Sequence, residues 1–393
     1  MNKKLKVAIV VDAFYPMRDG VVEVVNKYAT GLVDKVDVCV ITIFTGKNSF
    51  DDNVLPYPVW RTKSMKLPLT QYRFPTPKSD QKLFKRLDEE NFYLIHINSP
   101  YPLGMAIATY AKKKGIPIVT TFHSQYRRDI YKITHSNLIT NKVIKAMMKV
   151  FNKSDLCLTM NAYSQKLFNE YGGNVPCRIL PNASSVEAPK FSLEQSKEQI
   201  RKEYGINENS NVFLFAGRLI ADKGIFLALD AMKKLNEDGV DFTMLYVGSG
   251  MLGKKLNKKI KKYNLKDKVK TLGLITDKEK LLTIYALSDL FIFPSVYDTD
   301  GIVKREAALV ETPSLCIRGT GAGSDITDNE NGFLAEESPV SFAERIKEII
   351  ADKNTLRQIG KNAKRDLCVT WEEINDKLLE IYQEIIDKKQ KND

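Results

Sequence analysis

Short runs of β-branched and aliphatic residues alternate with segments of helical apolar spacing along all 393 residues. This repeating strand–helix order predicts parallel sheets assembled from βαβ units. In the first half it predicts strands over 6–11, 36–42, 93–97, 117–121 and 156–159, with helices near 21–33, 103–114, 137–152 and 163–171. The segment Leu180-Pro181-Asn182-Ala183-Ser184-Ser185 breaks the alternation with turn formers, and a polar stretch continues to Gln199. Strands over 212–216, 243–247, 269–272, 290–293 and 314–317 restart it, with helices near 224–235, 251–263, 278–287 and 303–310. Helices over 339–351 and 371–388 follow.

The expected architecture is α/β: two Rossmann-like, doubly wound domains, residues 1–183 and 184–370, facing each other across a cleft. Ligands of such sheets bind at the carboxyl ends of the strands. The length also favours two cores over one. With 43% hydrophobic and 27% charged residues, the composition is that of a soluble globular protein. No apolar run is long enough to span a bilayer. The apolar run Val7–Val11 is too short for a signal-peptide core, and five scattered cysteines without CxxC spacing fit a reducing compartment. The expected location is therefore the cytoplasm. Charge divides unevenly: residues 1–185 carry a balance of +13 and the remainder −1. The first half is thus suited to an anionic acceptor or membrane surface, or else simply to a soluble basic face.

Three constellations carry candidate chemistry. In Pro294-Ser295-Val296-Tyr297-Asp298-Thr299-Asp300-Gly301-Ile302-Val303-Lys304-Arg305-Glu306, a buried strand runs through a loop into a helix, with Asp298 and Glu306 eight positions apart. The amides that open the helix, with Gly301 permitting close approach, suit a diphosphate, and Glu306 suits neutral hydroxyls such as those of a ribose. Gly217-Arg218-Leu219 and Lys223-Gly224 set two cations after another strand. Val247-Gly248-Ser249-Gly250 is a short glycine loop after a third.

In this order the residues resemble the retaining glycosyltransferases of family 4, which have the GT-B fold. Asp298 and Glu306 match the family's E-x7-E pair, and Gly217, Arg218, Leu219, Lys223 and Gly224 match its glycine-arginine-leucine and lysine-glycine segments. Tyr285-Ala286-Leu287-Ser288-Asp289 is similar to its tyrosine-alanine-aspartate stretch. Phe14, Pro16 and Gly20 look like its first loop, Thr120-Thr121-Phe122-His123 like its histidine segment, and Leu180-Pro181-Asn182 like its hinge.

The resemblance implies transfer of a hexose from a UDP- or GDP-sugar, a substrate and not a cofactor, to a cell-envelope lipid or glycan. No metal or cofactor is implied. Arg218 and Lys223 would neutralise the departing diphosphate, the amides of Ile302 and Val303 would hold its oxygens, and Glu306 would bind the ribose. Gly20, Gly248 and Gly301 would line the donor site. Asp298 would contact the transferred sugar, and His123 would approach it from the first domain. The departing phosphate oxygen would deprotonate the acceptor. The helix over 371–390 would pack back on the first domain. Three positions depart from the pattern: Asp298 and Asp325 stand where Glu is usual, and Asp19 where a second glycine is common.

Other readings compete. Asp298-Thr299-Asp300 also spells a metal-binding DxD, though two carboxylates alone make a poor cage. His96 lies inside a strand and reads as structural, while His135 has no distinguishing context. Over 138–153, Val143, Ile144, Met147, Met148 and Phe151 share one face, with Lys142, Lys145, Lys149 and Lys153 off it. This basic amphipathic helix fits either peripheral contact with an anionic membrane or packing on the sheet. Nucleic-acid binding lacks a recognisable module. Alternatives to transfer are a catalytically silent partner of an active transferase, and a nucleotide-sugar epimerase, for which three histidines offer few acid–base groups.

Overall fold

Each strand expected from an apolar run forms, displaced by no more than one residue at either end, in a computed structural model that describes residues 4–17, 19–46, 50–66, 73–184, 186, 189 and 192–391. Ser185, at the end of the expected break, lies outside the described residues. Two units result: Met1–Asn182 with Trp371–Asp393, and Ala183–Thr370.

The first unit contains β1 (Lys6–Val10), α1 (Gly20–Leu32), β2 (Asp37–Ile43), β3 (Val59–Thr62), β4 (Ser64–Lys66), β5 (Arg73–Pro75), α2 (Gln81–Glu90), β6 (Leu94–Ile97) and α3 (Pro102–Lys114). It continues with β7 (Ile118–Phe122), α4 (Tyr126–Thr134), α5 (Asn137–Phe151), β8 (Leu156–Thr159), α6 (Ala162–Glu170) and β9 (Cys177–Ile179). Its parallel sheet has the order β3-β2-β1-β6-β7-β8-β9, with β4 and β5 as a separate antiparallel pair. The order reverses at β1, which pairs with β2 on one side and β6 on the other. A crevice for ligands therefore lies beyond the ends of β1 and β6.

The second unit contains α7 (Leu193–Tyr204), β10 (Asn211–Ala216), α8 (Ile225–Glu237), β11 (Phe242–Val247), α9 (Gly253–Lys262), β12 (Val269–Gly273) and α10 (Lys278–Leu287). After these come β13 (Leu290–Phe293), α11 (Ile302–Leu309), β14 (Ser314–Ile317), β15 (Phe333–Ala335), α12 (Pro339–Ala351) and α13 (Lys353–Leu367). Its parallel sheet runs β12-β11-β10-β13-β14-β15 and reverses at β10. Helices on both faces bury the central strands, which is why they read as unbroken apolar runs, while the edge strand β12 is partly exposed and carries Lys270 and Thr271.

The helix Trp371–Gln390 belongs to the first unit and buries Ile374, Leu378, Tyr382, Ile385 and Ile386. The Tyr382 hydroxyl lies 2.6 Å from His96 Nδ1, and His96 Nε2 lies 2.6 Å from Thr121 Oγ1. His96 is thus a satisfied core residue that ties the helix to two central strands. Arg178 adds a bidentate pair to Glu384, 2.6 Å at each nitrogen, at the exposed edge.

One expectation is corrected and one open choice is decided. The polar stretch to Gln199 is not wholly linker: α7 occupies it from Leu193, a charged surface helix that buries only Ile200. The apolar face of α5 is covered, because Ile144, Met147, Met148 and Phe151 pack with Phe122, Tyr126 and Phe168, leaving the lysines outside. An aromatic cluster is available to bury that face, so it is not offered to a bilayer. Among the described residues, no helix is long and apolar enough to cross a membrane.

Candidate active site

The second unit gathers its candidate residues where the sheet reverses. After β13 the chain passes from Pro294 to Gly301, and α11 begins. Gly301 adopts φ 83°, and a Cβ there would lie 2.4 Å from the Phe293 ring, so only glycine fits the turn. Among the described residues no side chain caps α11, which leaves the opening amides at Ile302 and Val303 without a side-chain acceptor there.

Beyond β10, Lys223 reaches this loop. Its Nζ lies 2.6 and 2.7 Å from the two Asp298 carboxylate oxygens, and 5.7 Å from the Phe293 ring centre. An ammonium has three N–H groups, so one remains for an anion. Gly224 (φ 70°) secures the approach, since a Cβ there would sit 2.1 Å from the Pro294 carbonyl oxygen. The glycine loop after β11 packs backbone to backbone on the Gly217 turn: a Cβ on Gly248 would meet the Gly217 oxygen at 1.9 Å, and Leu219 N donates to Ser249 O. Arg218 stands exposed in that turn, its guanidinium without a partner among the described residues. Glu306 is buried one turn into α11 and accepts a 3.0 Å hydrogen bond from the Tyr285 hydroxyl. Burial, with the Glu306 charge beside it, raises the Tyr285 pKa well above the usual phenol range.

Beneath the loop lies a largely buried ionic quartet whose two cations, Lys304 and Arg305, sequence reading did not single out. Lys304, fully buried, donates to Ala322 O at 2.7 Å and pairs with Asp325. Arg305 binds Asp300 and Asp325, each at 2.9 Å, and donates to Leu367 O at 2.7 Å. Burial alone would lower the Arg305 pKa, but the Asp300 and Asp325 charges outweigh it and raise it. Asp298 and Asp300 therefore face different cations, and among the described residues no group of three His, Cys, Asp or Glu could hold a metal ion.

The first unit has its own cluster at the β1–β6 crevice. Asp12 follows β1 and accepts hydrogen bonds from Ser99 Oγ (2.7 Å), Leu103 N (2.8 Å) and Gly104 N (3.3 Å), capping α3. Asn98 follows β6, and its Oδ1 lies 2.9 Å from His123 Nε2, just beyond β7. The Asn98 Nδ2 has no partner among the described residues. Gly20 opens α1 behind Asp19, which accepts from Val22 N at 2.9 Å; a Cβ at Gly20 would meet nothing within 4 Å. The protein's own packing therefore does not demand glycine there. The nearest signal for Asp12 and Asn98 in the sequence was a polar residue ending an apolar run.

This cluster predicts a pH dependence. Burial lowers His123 to about 4, and burial with the His123 charge lowers His96 to about 3, against an ordinary 6.5. Below pH 6.5 the unfolded imidazoles take up protons that the folded ones refuse, so each favours unfolding on acidification. Asp12 opposes them: burial raises it to about 6, so its folded carboxyl gains a proton first and stabilises as pH falls from 6 to 3.8. Two groups outweigh one, and the urea midpoint should fall between pH 6.5 and 4. His96→Asn should flatten that slope; an unchanged slope would reject the assignment.

Two family descriptions fit the chain, "Glycosyltransferase Family 4" over residues 18–187 and "Glycosyl transferases group 1" over residues 196–366. The chain belongs to glycosyltransferase family 4. Relatives of this family 4 glycosyltransferase include the alpha-monoglucosyldiacylglycerol synthase of Acholeplasma laidlawii, 23% identical over 98% of this chain and 99% of that one. The GDP-mannose-dependent alpha-mannosyltransferase of Corynebacterium glutamicum is 24% identical over 98% of this chain and 90% of its own length. Among solved structures, Anabaena HepE in complex with UDP and glucose superposes with a TM-score of 0.72, at 20% identity, covering 97% of this chain and 100% of that one. The family 4 transferase thus has the GT-B fold, with two parallel sheets of seven and six strands.

Proposed function

We propose that the chain transfers a hexose from a UDP- or GDP-sugar to a cell-envelope lipid or glycan, with net retention at the anomeric carbon and without a metal ion. The supporting observation is the Lys223 ammonium fixed on Asp298 beside the uncapped start of α11. Breaking a glycosyl–phosphate bond develops positive charge on the sugar and negative charge on the diphosphate. Cations and amide dipoles already in place stabilise the latter selectively in the transition state. On this reading Arg218 and Lys223 neutralise the diphosphate, aided by the Ile302 and Val303 amides, and Gly20, Gly248 and Gly301 leave room for the donor. Glu306 binds the ribose, Asp298 and neutral His123 serve the sugar, and the departing phosphate oxygen takes the acceptor proton.

Relatives and neighbours whose names carry GDP-mannose, or UDP and glucose, support both donor bases, and the glucosyldiacylglycerol synthases support a lipid acceptor. The second unit is assigned to the donor and the basic first unit to the acceptor. The test is release of nucleoside diphosphate from a panel of UDP- and GDP-sugars. One donor class should be turned over, undiminished by EDTA, with an α-linked product by NMR. Binding that raises the melting temperature without turnover would indicate a silent partner and overturn the proposal.

A further inference from the structure

Four large apolar side chains stand in solvent within nine residues at the corner between α4 and α5: Tyr131 (44% exposed), Ile133 (82%), Leu138 (77%) and Ile139 (50%). The chain turns there through His135 in the left-handed region, and Ser136 caps α5. These residues lie outside the buried face of α5. Singly exposed apolar residues are ordinary, but such a cluster marks a contact surface.

Its surroundings indicate what it contacts. From Tyr126 to Lys153 the chain carries seven Lys and Arg and one carboxylate, Asp129. Lys132, Lys142, Lys145 and Lys149 are exposed. Beside the corner, two hollows of about 590 and 480 Å³ share Arg127, Glu170 and Tyr171; Arg128 lines the first, and Lys145 and Lys149 the second. Among the described residues Glu170 is the lone carboxylate lining either. Aliphatic side chains ringed by cations and tyrosines match an anionic bilayer, where apolar groups enter the acyl boundary and cations lie among the phosphates.

We propose that the α4–α5 corner docks this chain on an anionic phospholipid bilayer, with Ile133, Leu138 and Ile139 entering the acyl layer and the Arg127 hollows receiving lipid phosphate. Docking serves the lipid-acceptor reading above and rests on it for its purpose. Vesicle binding and donor turnover are separate readouts, so either can fail alone.

The test is co-sedimentation of the full chain with vesicles of phosphatidylcholine, alone or mixed with phosphatidylglycerol. The chain should bind the mixed vesicles, less as salt rises. The pair Ile133→Asp and Leu138→Asp should lower binding at least roughly tenfold, the loss of two inserted aliphatic groups. The pair Arg127→Ala and Lys145→Ala should lower it roughly fivefold per cation. Unfolding curves should not change, because the aliphatic pair is exposed. Val54→Asp, at an apolar residue 66% exposed elsewhere, should bind as the parent does. Absent binding, equal binding to neutral vesicles, or unchanged binding by the aspartate pair would overturn the proposal. So would a pair that loses only a protein–protein association, which would assign the corner to a protein partner.

Discussion

Lys223→Ala should lower donor turnover by about 10²–10³-fold, the range found when one preorganised group facing developing negative charge is removed. The ammonium is held in place by both oxygens of Asp298, and Gly224 permits the tight approach to Pro294. Little reorganisation is therefore needed as charge moves onto the leaving diphosphate. The substitution also leaves the Asp298 carboxylate without its cation, so an anion repels the diphosphate where a neutral pair had stood. The loss should fall on kcat and kcat/KM together, the mark of an interaction made in the transition state. Lys223→Arg should recover part of it, since the charge returns on a larger, planar group. A raised KM with kcat unchanged would show that Lys223 only binds the donor, and unchanged kinetics would remove it from the site.

Arg305→Leu should destabilise the second unit by about 3–5 kcal/mol, the usual consequence of removing one partner from a buried ionic cluster. Arg305 is almost wholly buried and serves three acceptors: Asp300, Asp325 and the Leu367 carbonyl. Asp300, itself 3% exposed, would lose the cation that offsets its charge, and the end of α13 would lose its tie to α11. Replacing Asp300 by leucine as well should restore much of the stability, because the stranded charge is then gone. Urea unfolding of the single and double variants measures both. A single variant as stable as the parent would mean that water reaches the quartet.

The central strands were legible because each is buried on both faces and reads as an apolar run with sharp ends, whereas short or edge strands such as β3 and β9, which leave residues partly exposed, were not. The motifs around Lys223 and Gly248 were legible because glycine is required where backbone meets backbone, as at Gly224 against Pro294 and Gly248 against Gly217, and the one at Gly301 because only glycine fits beside the Phe293 ring. Two charged surface helices were not. α7 and α13 contribute few apolar positions, and their helical period is obscured by lysine and glutamate. The quartet was hidden for another reason: apart from Asp300, the partners of Lys304 and Arg305 are Ala322, Asp325 and Leu367, which no local spacing brings together. Periodicity identified the apolar face of α5 correctly but not what covers it. The exposed cluster at its start has no period at all.

The helix from Trp371 completes a body whose other residues were all made before Ala183. During synthesis, His96 and its strand neighbours wait for Tyr382 until the entire second body has been made, so the earlier-made part cannot be completed until the last helix emerges. No single stop codon yields that body alone. A stand-alone version has to splice residue 182 to 371.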